Sequence, residues 1–283
     1  MHIADAAERT DSRSMRVIRR RRRARKRRPV PIPGAALLVL GCLPGLAAVL
    51  ALVLSTAGAE RPVALRSPRP PVQARSAALH QAPRPRIVPR TAWADDGART
   101  QPPPHYDDKV VAVFVHHTDS PNSYRCADTP RIIRALYAGQ TRHRRWDDIG
   151  YNFLIDRCGT IYEGRAGGAE RPVTGAHTQG FNHRTAGIAA IGTFAAGTTV
   201  PRAMTDALAA LAAWKLGLAD VDPRTRARLV SSNGGSRYRQ GATALLPTLA
   251  GHDDGYRTHC PGAALSALLP AIRERAARLQ GRR

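Results

Sequence analysis

Lysine and aromatic side chains are scarce in this 283-residue chain. Only three of its 44 basic residues are lysines, and aromatic residues make up 5% of the sequence. No stretch alternates aromatic with basic residues, so the sequence lacks the pattern on which single-stranded bases stack. Acidic residues number only 21, which leaves a formal net charge of +23. The charge therefore favours a polyanionic partner such as nucleic acid, anionic lipid or a bacterial wall.

The first 59 residues have the pattern of an export segment. Residues 1–33 form a basic segment, with eleven positive charges within residues 13–28. Residues 34–59 follow, with an apolar run over 35–54 and a small-x-small cleavage pattern at 57–59. The run is about as long as the ~20 residues that span a bilayer, so the pattern fits both a cleaved signal peptide and a retained membrane anchor. In either case the basic end stays in the cytoplasm and the rest is exported.

Cysteines are also few, and their number agrees with export. Outside the apolar run the chain has only Cys126, Cys158 and Cys260. An exported chain can form a disulfide, and Cys126 with Cys158 is the pair that we favour. That pairing leaves Cys260 as a free thiol. The alternative is that all three are buried, unpaired thiols.

Residues 60–83, rich in Pro, Arg, Ala and Ser, are predicted to be a linker. Short β-branched runs then alternate with helical spacing over residues 84–283, without any internal repeat. We expect an α/β fold here, a single domain with a central mixed β-sheet flanked by about three helices. Pro270 lies inside the last helical pattern and is expected to kink or split that helix near Leu269.

The stretch Gly251–Gly262 contains a candidate metal-binding pair. His252 and Cys260 lie eight residues apart, and imidazole and thiolate are ligands that Zn²⁺ prefers. A third ligand would come from His116 or His117, at the end of an apolar strand pattern. Three protein ligands leave the fourth position for water, the layout of a catalytic zinc. The spacing alone does not define a site, because a lone cysteine is usually a buried hydrophobe and a lone histidine a hydrogen-bonded residue.

Six fragments occur in an order that resembles a known family. They are Ala112–Thr118, Trp146–Ile155, Ile161–Arg165, Gly175–Thr178, Gly187–Gly192 and Gly251–Gly262. The series is similar to peptidoglycan-recognition proteins and type-2 N-acetylmuramoyl-L-alanine amidases, over roughly residues 84–280. Each fragment alone is a weak signal, but six in order are specific.

The resemblance implies a Zn²⁺ cofactor held by His116, His252 and Cys260. Only one of the two adjacent histidines is chosen, since neighbouring side chains on a strand point to opposite faces. The implied substrate is bacterial peptidoglycan, cut at the amide between the lactyl group of N-acetylmuramic acid and L-alanine. One departure is Asp253, where the family commonly has arginine. This difference alters the electrostatics next to the site but leaves the ligand set intact.

The resemblance also implies roles for Tyr151, Thr258 and, more weakly, His177. The phenol of Tyr151 would stabilise the oxyanion formed during amide hydrolysis, with the Thr258 hydroxyl donating beside it. His177 would line the substrate groove. The alternatives are a strand tyrosine that anchors the sheet and ordinary loop positions for the other two. His117, His183 and His259 are taken as structural or exposed.

The function expected from the resemblance is an exported zinc-dependent amidase of the cell envelope. A non-catalytic module that binds peptidoglycan without cutting it is the alternative, since relatives of this kind typically lack the cysteine ligand. Nucleic acid is not an expected partner. A membrane would be contacted only through the N-terminal segment, if that segment stays uncleaved.

Overall fold

A six-stranded mixed sheet forms the centre of the described structure, a computed structural model that covers residues 80–95 and 101–283. The strands of the described residues are β1 Ile87–Val88, β2 Ala112–His117, β3 Phe153–Ile155, β4 Ile161–Glu163, β5 Thr185–Ala190, β6 Arg226–Val230, β7 Thr243–Pro247 and β8 Leu249–Gly251. Strands β6 and β7 form a separate two-stranded hairpin. The order in the large sheet is β1-β4-β3-β5-β2-β8. Strands β3 and β4 are antiparallel, and the other neighbours run parallel.

Helices flank this sheet, which confirms the expected fold class. They are α1 Thr129–Ala138, α2 Arg202–Gly217, the short α3 His252–Gly255, and α4 Ala263–Leu279. None of the helices in the described ranges is long and apolar enough to cross a membrane. The predicted segments 1–33 and 34–59 lie outside the described residues, so the structure does not test them.

One face of the sheet is covered by α2 and α4. Alternate side chains of β2, β3 and β5 point to this face and form a common apolar core with both helices. The helix residues of this core include Met204, Leu208, Leu211, Leu265, Leu269 and Ile272. Because that buried stripe continues past Pro270, α4 runs unbroken to Leu279, and the predicted split near Leu269 does not occur.

Two smaller elements cover the opposite face of the sheet. Helix α1 packs there through Ile133 against Leu154 and Trp93. The β6–β7 hairpin packs beside it through Leu229 and Leu246, against Phe114 and other residues of a third apolar cluster. Between these elements the sheet face carries polar groups, which is where the candidate site lies.

The register of the parallel strands brings distant segments together at one edge. Val115 of β2 lies opposite Gly251 of β8, so the residues that follow each of them are neighbours in space. Those residues are His116 and His252. Ligands in open α/β sheets usually bind outside the carboxyl ends of parallel strands, and both histidines lie at such ends.

Two boundaries differ from the sequence-based expectation. The run predicted as one strand over 242–249 is two, because Thr248 turns the chain from the hairpin into the large sheet. Its hydroxyl donates to the carbonyl of Asp222, 2.8 Å away, and its carbonyl accepts from the N–H of Val113. The end of the predicted linker also packs on the fold, since Ala82 is buried in the same core as α2.

Candidate metal centre

His116, His252 and Cys260 converge on one point. Their ligand atoms all lie within 4.8 Å of one another. The Cys260 Sγ is 3.8 Å from His116 Nδ1, and the ring centroids of His116 and His252 are 4.3 Å apart. His116 is 1% exposed. The three residues named from the sequence, of which His116 and Cys260 are buried and His252 is partly exposed, therefore form a group that can hold a metal ion.

Backbone hydrogen bonds fix the loop that carries Cys260. The N–H of His117 donates to Cys260 Sγ over 3.2 Å, which ties the loop to the end of β2. The N–H of Asp253 donates to the Cys260 carbonyl over 3.0 Å. The N–H of Cys260 in turn donates to the Thr258 hydroxyl over 3.1 Å. The sulfur is thereby held in place by contacts from both sides of the site.

Burial keeps the three candidate metal ligands uncharged in the absence of a metal. It lowers the pKa of His116 well below its ordinary value, and His252 and His177 lower it further. Burial lowers the pKa of His252 to about 4, with a contribution from His117. It raises the pKa of the Cys260 thiol to about 12, although the hydrogen bond from His117 opposes this. Two imidazoles therefore offer lone pairs, and the thiol needs a cation nearby to ionise.

This donor set fits a transition-metal ion. Two neutral imidazoles and one thiol, all within coordination reach of one point, match the nitrogen and sulfur ligands of catalytic zinc sites. The Cys126, Asp156 and Cys158 group also brings potential ligands together, but its two sulfurs are joined to each other. Among the described residues, the cluster around His116 is therefore the one suited to a metal.

Tyr151 lies on one side of the cluster. Its ring centroid is 5.2 Å from that of His116. Together with His252 it lines a cavity of about 510 Å³ that also contains polar, cationic and aromatic side chains, namely Gln140, Arg144, Trp146, Gln179, Asn182 and Tyr256. Burial and the nearby Cys260 raise the pKa of the Tyr151 phenol, so it stays protonated and can donate a hydrogen bond.

Thr258 lines a second and larger cavity of about 830 Å³. The lining includes two carboxylates, Asp119 and Asp253, together with His117 and several alanines. The Thr258 oxygen accepts a hydrogen bond from Cys260, which leaves its proton free to be donated. Tyr151 and Thr258 thus line different cavities, and of the three candidate ligands only His252 is among the lining residues, in the smaller cavity.

His177 occupies a buried position behind His116. Its Nδ1 is 3.2 Å from His116 Nε2 and 3.0 Å from the Thr178 hydroxyl. Its Nε2 is 3.3 Å from the Thr185 hydroxyl. The ring is 7% exposed at the wall of the smaller cavity. No sequence pattern assigns a role to Thr178, although it ends the motif Gly175–Thr178, and no local pattern points to Thr185.

The cysteines and the remaining histidines that the sequence offered lie in distinct environments. Cys126 and Cys158 are joined as a disulfide, with Cα atoms 6.3 Å apart. Cys260 is a buried free cysteine. His183 and His259 are exposed, whereas His117 is half-buried and its Nδ1 has no hydrogen-bond partner among the described residues. Its ring lines the larger cavity, which sequence reasoning did not anticipate.

Sequence comparison places this arrangement among known proteins. The family described as N-acetylmuramoyl-L-alanine amidase matches residues 106–263, more than half of the chain. Peptidoglycan-recognition protein LE of Drosophila melanogaster is 37% identical over 108 residues, which cover 38% of this chain and 30% of that protein. The N-acetylmuramoyl-L-alanine amidase of Mus musculus is 30% identical over 190 residues, which cover 65% of this chain and 30% of that protein. The chain thus spans less than a third of the length of both relatives.

Solved structures show the same fold. Wild-type Drosophila PGRP-LB matches with a TM-score of 0.51 and 27% identity, over 66% of this chain and 93% of that one. Peptidoglycan-recognition protein LE in complex with tracheal cytotoxin, a monomeric diaminopimelic acid-type peptidoglycan, matches with a TM-score of 0.51 and 26% identity, over 65% of this chain and 92% of that one. The sequence match and the shared fold agree, and this chain belongs to the family of N-acetylmuramoyl-L-alanine amidases and peptidoglycan-recognition proteins.

Proposed function

We propose that this protein is a zinc-dependent amidase that hydrolyses the bond between the lactyl group of N-acetylmuramic acid and L-alanine in peptidoglycan. The observation that carries the proposal is the His116, His252 and Cys260 cluster, whose ligand atoms lie within 4.8 Å of one another. The smaller cavity, which His252 and Tyr151 line, opens beside the cluster and would hold the peptide with its amide at the metal position.

The residues around the cluster fit amide hydrolysis. A zinc ion bound there would polarise the amide carbonyl and lower the pKa of water toward ~7. The protonated phenol of Tyr151 would donate a hydrogen bond to the oxyanion that develops on the carbonyl oxygen. The hydroxyl of Thr258, which already accepts from the N–H of Cys260, would be a second donor. Arg144 and the amide side chains in the smaller cavity suit a peptide that carries carboxylates.

Digestion of purified peptidoglycan tests the proposal. The zinc-loaded protein should release peptides with new L-alanine amino ends and leave glycan strands with free lactyl carboxyl groups, both identified by mass spectrometry. Removing the metal with a chelator should abolish release, and adding zinc should restore it.

A recognition module is the second candidate function, favoured by the solved relative that holds tracheal cytotoxin. The same assay separates the two, provided that binding to intact cell walls is measured in parallel. Protein that contains zinc and binds walls, yet releases no new amino ends, would overturn the amidase proposal and support recognition alone.

We further propose that the folded part acts outside the cytoplasm, at the cell envelope. The Cys126–Cys158 disulfide supports this, because structural disulfides persist mainly in oxidising compartments. Mass spectrometry of unreduced protein purified from its envelope should find the two cysteine peptides linked and Cys260 free. Alkylation of both Cys126 and Cys158 without reduction would count against the crosslink and weaken the proposed location.

A further inference from the structure

The hydroxyl of Thr185 has its proton committed to the backbone. Its Oγ1 lies 2.6 Å from the carbonyl oxygen of Phe181 and 3.2 Å from that of Asn182, and both oxygens can only accept. The Thr185 oxygen is therefore left as an acceptor toward the ring of His177. Since Nε2 of His177 is 3.3 Å from this oxygen, Nε2 must carry the hydrogen.

This fixes the tautomer of His177. The ring of His177 is buried, and the described partners of its two nitrogens include no carboxylate that would stabilise a charged imidazolium, so the ring is neutral and has a single N–H. With the hydrogen on Nε2, Nδ1 is an acceptor. The donors within reach of Nδ1 are His116 Nε2 at 3.2 Å and the Thr178 hydroxyl at 3.0 Å.

The position of the hydrogen on His116 follows from the requirement that every buried ring nitrogen has a hydrogen-bond partner. If Nε2 of His116 carries its hydrogen, it can donate to His177 Nδ1, or to the Thr178 oxygen at 3.4 Å while Thr178 donates to His177. If Nε2 lacked a hydrogen, Thr178 would have one proton for two buried acceptors, and one of them would remain unpaired. Unpaired buried polar groups are costly and rare, so the hydrogen lies on Nε2.

We propose that His177 is a positioning residue, which together with Thr185 holds His116 as the tautomer whose Nδ1 lone pair faces Cys260 and the metal position. The hydrogen bonds run from His116 Nε2–H to His177 Nδ1, directly or through the Thr178 hydroxyl, and from His177 Nε2–H through the Thr185 hydroxyl to the Phe181 carbonyl. Ligand histidines in metal sites generally donate their second ring N–H to such a partner, which sets the tautomer and ring orientation. The inference rests on the proposed function only in naming zinc as the ligand.

The backbone around His177 is shaped to accept its ring. A Cβ on Gly187 of β5 would overlap the ring, and a Cβ on Gly175 would come within 2.5 Å of Cδ2. The loop itself is held by Asn182, whose side-chain oxygen accepts the N–H groups of His177 and Thr178 over 2.8 Å and 2.9 Å. A substrate-lining histidine needs a free nitrogen, whereas both ring nitrogens of His177 already face protein partners.

The tautomer can be measured directly in the wild-type chain. Long-range proton–nitrogen NMR correlations of the full protein, with ¹⁵N-labelled histidine, distinguish hydrogen on Nε2 from hydrogen on Nδ1. We expect His116 and His177 both to carry hydrogen on Nε2 in the metal-free protein, and His116 to keep it when zinc is added. Hydrogen on Nδ1 of His116 in the metal-free protein would overturn the inference.

Two substitutions at Thr185 test the consequence for metal binding. Thr185→Val keeps the side-chain shape but removes the oxygen that fixes His177, so zinc affinity measured by chelator competition should fall by about 10–100-fold. Thr185→Ser retains the hydroxyl and should keep zinc affinity and the NMR pattern of the wild type. If Thr185→Val lowers thermal stability but leaves zinc affinity and both tautomers unchanged, Thr185 and His177 have only a structural role and the inference fails.

The two proposals fail in different ways. A wild-type chain that binds zinc but does not cut peptidoglycan loses the proposed function, while the tautomer and affinity measurements still decide the role of His177. If the chain binds no zinc, both the proposed amidase function and the predicted effect of His177 on zinc affinity are wrong. The tautomer of metal-free His116 then still shows whether His177 orients the His116 ring.

Discussion

The two faces of the central sheet are both buried, yet they are built in different ways. On the face covered by α2 and α4, apolar side chains such as Val113, Val115 and Leu208 pack against one another. On the opposite face, beyond Phe114, the same strand presents His116, with His177, Thr178 and Thr185 buried around it. The first face is held by apolar burial, whereas the second is held by directed hydrogen bonds.

This difference separates stability from function within one sheet. Apolar contacts tolerate exchange of similar side chains, so the helix-covered face is a scaffold. A buried polar network tolerates few substitutions, because each buried polar group that is left without a hydrogen-bond partner costs free energy. Substitutions on the site face should therefore change metal binding and turnover, and substitutions on the helix face should change the free energy of unfolding.

The largest effect is expected from His252→Ala. Losing one of three ligands should remove zinc and lower amide hydrolysis by more than the ~10²–10³-fold typical of one lost oxyanion donor. The matched control is His183→Ala, since the His183 side chain is 65% exposed and contacts Asp107 instead of the cluster. Zinc per protein and release of amino ends are measured together. Zinc retained at wild-type affinity in His252→Ala would show that the ligand set is wrong.

Tyr151→Phe should act on the chemistry without changing the metal. Removing the phenol takes away a donor used mainly in the transition state, so turnover should fall by about 10²–10³-fold. Zinc content and wall binding should stay at wild-type levels because the phenol is not a ligand. Tyr106→Phe, at an exposed position outside the site, is the control. Unchanged turnover in Tyr151→Phe would leave the tyrosine with only a packing role.

Leu208→Ala tests the helix-covered face. Leu208 is fully buried, and truncation of such a residue costs about 2–5 kcal/mol of unfolding free energy. Leu268→Ala on α4 is the control, since Leu268 is 36% exposed and should cost less than about 0.5 kcal/mol. Urea unfolding and zinc content are measured for both. Loss of zinc from folded Leu208→Ala protein would show that the two faces are not independent.

The same contrast explains how much could be predicted from sequence. Apolar spacing predicted α2, α4 and the hairpin of β3 and β4 because burial leaves a local periodic pattern. It failed at Thr248, where the end of β7 and the start of β8 are set by hydrogen bonds to Asp222 and Val113, distant in sequence.

At the site, residue spacing alone left the metal hypothesis open. The resemblance to a family named His116, His252 and Cys260, and the strand register then brought them together. Thr185 could not be found in this way, because a threonine in a strand carries no local sign of its hydrogen bond to His177. The separation of Tyr151 from Thr258 into two cavities likewise depends on the assembled fold.

The smallest difference expected lies in the slope of zinc affinity against pH, which measures how deeply the polar face is buried. The pKa of His252 is lowered to about 4 and that of His116 is also lowered, so both rings are already neutral above about pH 5. The pKa of Cys260 is raised to about 12, so its thiol is protonated up to at least pH 9. Zinc takes the thiolate, and binding should therefore release about one proton throughout this range. The logarithm of the affinity should rise by about one for each pH unit, without steepening between pH 5 and 6.

Exposed histidines would titrate near their ordinary pKa of 6.5, and would release additional protons below pH 6. Calorimetry of zinc binding in buffers with different ionisation enthalpies counts the protons directly. A release near three protons at pH 5.5 would mean that the ligands are solvated in the metal-free protein and that the polar face opens before it binds.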